Sequence, residues 1–194
     1  MKRTLALLTA AFIALPVVAA PEEYDIDPNH TYPIFEVKHL GYSTQRGRFN
    51  KTSGKIVLDR EAKQGSVDLT IDVSSLDMGT DIWNQHMFAE GFFDVEKYPT
   101  ITFKSNKLIF EGDKVVAAEG DFTLLGVTKP IRLTVSNFNC GTHPMLKKDM
   151  CGGDISTSVK RSDFGMKKAI PMVGDDVKLS SPVEAFKAVP APTP

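Results

Sequence analysis

A chain of 194 residues with 42% hydrophobic and 24% charged residues is long enough for one domain with a real core. Its formal net charge of -1 gives no electrostatic case for nucleic acid or for an anionic lipid surface. With two cysteines and no CxxC, a thioredoxin-type redox role has no support either.

The chain opens with Lys2 and Arg3, an apolar run from Leu5 to Leu15, Pro16, and small residues through Ala19 and Ala20. That order predicts a secretory signal peptide over 1–19, with cleavage after Ala19. Its loss would take the formal charge to -3 (-1 minus the two positive charges of Lys2 and Arg3). The run is shorter than the roughly 20 residues a spanning helix needs, and no later segment approaches that length. The mature domain is expected over 20–188, followed by an extended, disordered Pro-rich tail over 189–194.

From Tyr24 onward the hydrophobic period is two almost throughout. Phe35, Val37 and His39 alternate with Glu36 and Lys38, and Ile56 and Leu58 follow Gly54. Val67, Leu69, Ile71 and Val73 alternate with Ser66, Asp68, Thr70 and Asp72, which predicts a strand with one dry and one wet face. Asp81 to Phe103 departs from this pattern. Ile82, Trp83, His86 and Met87 recur at helical spacing, Gly91 offers a stop, and a short helix is expected near residues 81–90. Phe92 and Phe93 then turn the chain before Pro99 and the alternating pair Ile101 and Phe103. Further strands are predicted around Val116, Ala118, Gly120, Phe122 and Leu124, around Ile131, Leu133 and Val135, around Ile155, Thr157 and Val159, and from Val177 to Ala185.

About eight strands joined by short turns make an all-β domain, either a closed barrel or a two-sheet sandwich. The absence of long helical segments excludes α/β. An eight-stranded barrel either fills its interior with side chains or holds one small ligand, so the helix is either a plug on a packed core or a lid.

Few residues suggest chemistry. There is no GxSxG, P-loop, HExxH or GxGxxG after a strand. Cys140 and Cys151 are expected to form a disulfide within one chain or between two, whereas Cys140, His143 and Cys151 lack a fourth ligand for zinc. His30, His39, His86 and His143 are scattered. By strand parity His39 and Arg161 face inward, as satisfied core residues or as polar contacts to a ligand head group.

Several spaced motifs resemble the YceI family of bacterial secreted proteins. They are Asp27-Pro28-Asn29-His30-Thr31, Phe35 to Gly41, Arg46-Gly47-Arg48-Phe49, Phe92-Phe93-Asp94, Tyr98 to Phe103, Gly120 to Leu124, Gly126 to Pro130, and Arg161 to Met166. The resemblance implies a lipocalin-like antiparallel barrel that binds a polyisoprenoid chain, in some members a quinone tail such as that of ubiquinone, in the periplasm of a Gram-negative bacterium. It implies no settled enzymatic activity, in keeping with a motif content that gives no reason to expect a catalytic cofactor or a metal. One departure is that Ile82-Trp83-Asn84-Gln85 precede His86 where the family carries Arg-Asp or Arg-Asn, so an aromatic surface replaces a cation. Parity and resemblance together give the expected ligand contacts: Phe35, Val37, His39, Val67, Leu69, Ile71, Phe103, Phe122, Leu124 and Arg161, with Trp83, Met87, Phe88 and Phe92 closing one end. Two rivals stand beside this reading: an enzyme on an isoprenoid or quinone using His39 or His86, and an interaction or adhesion protein with a filled barrel. Homodimerisation through open strand edges is compatible with the pattern.

Overall fold

The computed structural model describes residues 20–189, so the signal segment over 1–19 and all but the first residue of the expected tail lie outside the described residues. Eleven strand segments and one helix follow in order: β1 (Glu22–Ile26), β2 (Ile34–His39), β3 (Ser43–Phe49), β4 (Thr52–Asp59), β5 (Gln64–Asp72), β6 (Leu76–Asp77), α1 (Asp81–Phe88), β7 (Thr100–Glu111), β8 (Lys114–Leu124), β9 (Val127–Thr142), β10 (Asp149–Lys160) and β11 (Val173–Lys187). All ladders between them are antiparallel.

The first six segments are three long strands, each interrupted once. β1 and β2 lie end to end along β11. β4 pairs with β1 while β3 pairs with β2, and β5 pairs with β4 while β6 pairs with β3. Counting each interrupted pair once gives eight strand positions in simple up-and-down order, and β11 closes the sheet onto β1 and β2. The fold is therefore a closed barrel rather than a sandwich, and closure leaves few edges for another chain to extend.

Side chains bridge the interruption between β1 and β2. Buried Thr31 accepts the Glu184 N–H at 3.0 Å and donates to the Glu184 carbonyl at 3.2 Å, so a hydroxyl does the work of a missing backbone pair. Asp27 sits beside it, its N–H also on the Glu184 carbonyl at 2.9 Å and its carboxylate on Asn29 N–H at 3.0 Å and His30 Nδ1 at 2.7 Å. The motif Asp27 to Thr31 thus seals a bend in the wall.

Two bulges change the parity read from sequence. In β7 an extra residue separates Lys104 from Lys107 opposite Gly120, and buried Ser105 fills the break by donating to the Glu119 carbonyl at 2.6 Å. A Cβ at Gly120 would stand 2.3 Å from the Lys104 carbonyl, which is why glycine occupies that place, and contrary to the expected parity Gly120 does not line the interior. In β8 the second bulge turns Val115 inward instead of the expected Val116.

Alternation of strand direction sorts the connections to two ends. The turn at 40–42, the α1 segment between β6 and β7, the turn at 125–126 and the segment 161–172 share one end; the turns at 60–63 and 112–113 and the loop 143–148 share the other. The β9–β10 pair is clamped near its loop by a disulfide between directly opposed Cys140 and Cys151, so the bridge is within one chain.

Candidate functional site: an apolar cavity with one mouth

α1 forms because Thr80 caps it, its hydroxyl accepting the Trp83 N–H at 3.4 Å, with Asp81 in the first turn where a negative charge suits the helix N-terminus. It ends at Phe88, two residues short of the expected boundary. Ala89 is already extended, and Gly91 at φ +88° lets the chain double back so that Phe93 N–H reaches the Met87 carbonyl at 3.0 Å. None of the helix residues is buried, and Ile82 is 84% exposed. The expected lid is consequently a partial one. Trp83, His86 and Met87 share the face turned to the interior, while Phe88 packs against the core without lining the cavity, a correction to its expected contact.

Beneath the helix, Phe35, Phe49 and Phe93 form a ring cluster with centroids 5.4 to 6.2 Å apart. Gly47 makes room for it. A Cβ there would come within 2.6 Å of the Phe35 ring and 2.4 Å of Met78 Sδ.

The barrel encloses a cavity of about 420 Å³. This lies within the range of roughly 300–1,000 Å³ usual for small-molecule sites. Its wall is uneven. Leu69, Ile101, Phe103 and Phe122 on β5, β7 and β8 are buried, as are Cys151, Val177 and Ala185 on β10 and β11, whereas inward-facing Val67, Leu133, Val135, Ile155, Val159 and Leu179 are half-buried. Aliphatic side chains on these strands line the cavity together with Phe138, Gly152, Gly153 and Ser181.

The exposed members of the lining locate the opening. Gln45, Trp83 and His86 are exposed, and all three belong to the α1 end. At the far end Tyr24, Leu58, Leu108, Val115, Cys151 and Ala185 are all buried, so the cavity is closed there. The Trp83 and His86 rings meet edge to face at 5.4 Å, and His86 also lies 4.7 Å from the Phe92 ring. His39, half-buried on β2, completes a mouth whose polar groups are two imidazoles, an amide and an indole.

Of the sequence-predicted contacts, Phe35, Val37, His39, Val67, Leu69, Ile71, Trp83, Met87, Phe92, Phe103, Phe122, Leu124 and Arg161 line the cavity together. Arg161 does so with its donors engaged. Nε donates to the Gly174 carbonyl at 2.8 Å, one terminal nitrogen to Met166 and Lys168 at 3.1 and 2.9 Å, and the other to Val173 at 3.0 Å. Burial pushes the guanidinium below its ordinary range, opposed by the nearby Asp175 carboxylate. Its primary work is to fold the 161–172 segment over the mouth. Sequence reasoning missed Tyr24, Phe49, Met166 and Val115 as lining residues; the first two fall outside the strands whose parity was read, and the last is hidden by the bulge.

The remaining histidines lie apart from the cavity. His143 Nδ1 accepts the Met145 and Leu146 N–H groups at 3.2 and 3.0 Å and closes the β9–β10 loop. Asp27, His30 and Glu184 offer ligand atoms within 4.8 Å of one another at the wall bend, where the Asp27–His30 hydrogen bond already pairs two of them. Among the described residues, no helix is long and apolar enough to cross a membrane.

A UPF0312 protein of Vibrio cholerae is 36% identical over 171 residues, covering 86% of this chain and 90% of its own. Among solved structures, the Campylobacter jejuni YCEI protein superposes with a TM-score of 0.65 at 27% identity, covering 78% of this chain and 90% of that one. A polyisoprenoid binding domain from Saccharophagus degradans, implicated in plant cell wall breakdown, superposes with a TM-score of 0.61 at 17% identity, covering 85% and 98%, a likeness of fold. The model of the YceI-like domain matches residues 24–185, nearly the whole barrel. With the family model matched over nearly the whole barrel and a relative above one-third identity, this chain belongs to the YceI-like domain family.

Proposed function

We propose that the protein is a non-enzymatic periplasmic carrier or store of one isoprenoid lipid, held tail-inward in the barrel, and that a polyprenyl quinone such as ubiquinone is the first cargo to test. The observation that carries this reading is the cavity itself: about 420 Å³ of apolar space, blind at one end and open at the α1 end. The Saccharophagus degradans neighbour, a polyisoprenoid binding domain, supports the ligand class. Burying each CH₂ is worth about 0.8 kcal/mol, so ten such groups give about 8 kcal/mol before the cost of ordering the chain. Affinity then comes from the wall and only orientation from the mouth.

In this scheme Phe35, Val37, Val67, Leu69, Ile71, Phe103, Phe122 and Leu124 contact the tail, while His39, Trp83, Met87 and Phe92 meet the head group. Arg161 acts by holding its segment in place. The carrier is preferred to an enzyme because His86 sits between the rings of Trp83 and Phe92 and, among the described residues, has no carboxylate partner of the kind that orients the base in a catalytic triad. Protein purified from the periplasm without denaturation should release a stoichiometric isoprenoid into organic solvent, identified by mass spectrometry. A clean extract, repeated after incubation with excess ubiquinone, overturns the proposal in favour of an interaction protein.

A further inference from the structure

The α1 end carries a second feature besides the mouth. Tyr42, Ile82 and Met172 stand 92%, 84% and 61% exposed, and Leu40 and Trp83 are each 49% exposed. They come from three separate segments, the β2–β3 turn, α1 and the end of the 161–172 segment; the first and last are tied together by Leu40 N–H on the Met172 carbonyl at 2.7 Å. These side chains stand exposed at the barrel end where the cavity opens, and together make a broken apolar rim there. Tyr42, Ile82, Met172 and Leu40 contribute nothing to the cavity lining or the core, so neither packing nor cargo explains them.

We propose that this rim docks the protein on the surface of a lipid bilayer, seating the cavity mouth against the membrane. The inference rests on the isoprenoid reading, and the bilayer is the occupant that reading requires. A tail that leaves the bilayer for the barrel crosses no water only if apolar surface runs unbroken from acyl chains to cavity wall, and Trp83 is both rim and lining. The composition suits the interface of a bilayer, where indole, phenol and amphipathic lysines concentrate. Beside the rim, Lys168 Nζ lies 4.9 Å from the Phe92 ring and Lys97 Nζ 5.2 Å from the Tyr98 ring, stems on apolar surface and ammonium groups at the edge. Asp81, Glu90 and Asp163 share this end, so attraction to anionic lipid is not the driving term. Docking comes from insertion of apolar tips and depends little on salt.

The chain has a single tryptophan, and it stands in the proposed contact. The purified mature protein is mixed with phosphatidylethanolamine–phosphatidylglycerol vesicles, with and without lipids brominated on their acyl chains, and flotation is measured in parallel. Docking predicts co-flotation, a blue shift of Trp83 emission and quenching by brominated chains, all persisting at high salt. The double variant Ile82→Asp with Met172→Asp should bind vesicles about tenfold more weakly or worse, since a charge at the apolar interface opposes insertion. The same variant should take up farnesol from solution as the wild type does, because neither residue lines the cavity. Farnesol uptake without flotation overturns docking and leaves the carrier reading standing; flotation without farnesol uptake supports docking and removes the carrier reading. A Trp83 shift that follows protein concentration and ignores vesicles assigns the rim to a second copy of the chain and overturns docking too.

Discussion

Arg161 shows how one side chain can be read correctly for direction and still change meaning in three dimensions. Strand parity points it inward, and it is 4% exposed, yet four backbone carbonyls take its donors. No sequence pattern announces that, because the partners are main-chain atoms spread from Met166 to Gly174. Arg161→Lys keeps the charge and loses the fork, and we expect it to lower unfolding free energy by about 3 kcal/mol by leaving several carbonyls unpaired. Urea denaturation measures the loss; a variant within about 0.5 kcal/mol of wild type would remove Arg161 from that role.

Asp27 and His30 form the other informative residue pair. Burial raises the Asp27 carboxyl, but the His30 hydrogen bond and the Asn29 N–H outweigh it and hold the group below its ordinary 3.8. The hydrogen bond to Asp27, with the charge of Glu184, holds His30 above its ordinary 6.5. The histidine contribution is complete below 6.5 and is lost as pH rises through its higher folded value; the aspartate contribution is complete above 3.8 and is lost as pH falls through its lower folded value. Both are fully present only between those limits. Denaturant midpoints should therefore decline on the alkaline side of this window, and His30→Gln should flatten that decline. A His30→Gln protein that keeps the full alkaline loss would detach the effect from this pair.

At the scale of elements, the strand count was legible while the interruptions were not. The period-two runs mark eight strand positions, but Thr31 hides the break between β1 and β2 by replacing a backbone pair with a hydroxyl. The bulge that exchanges Val116 for Val115 is equally silent, since both are valines. The disulfide was legible as a pair and ambiguous as a partner choice; direct opposition of Cys140 and Cys151 across β9 and β10 makes it intrachain. It closes a loop of 11 residues in sequence separation. Loop-closure entropy assigns such a bridge about 3 kcal/mol. Cys140→Ser with Cys151→Ser should lose about that much by denaturant titration, with the largest gain in amide exchange in the β9–β10 pair. Exchange spreading evenly over the barrel would show that the bridge does not act locally.

At the scale of the molecule, whether the interior is filled or empty depends on volumes, which alternation does not encode. The sequence pattern shows which residues face inward except at the bulges; it does not show that Phe103 and Phe122, buried, and Leu133, Ile155 and Leu179, half-buried, line one cavity that their side chains leave unfilled. This unfilled interior makes a barrel into a container, and it can be reversed. Leu133→Trp with Ile155→Trp places two large side chains into the cavity that these residues line, where about 420 Å³ exists to receive them. Voids cost about 24 cal/mol per Å³, so filling part of this one should hold or raise the thermal midpoint while isoprenoid uptake falls at least about tenfold. A variant that is destabilised by several kcal/mol, or that still takes up cargo as the wild type does, would mean that the wall is already packed in solution and that the ligand lies elsewhere.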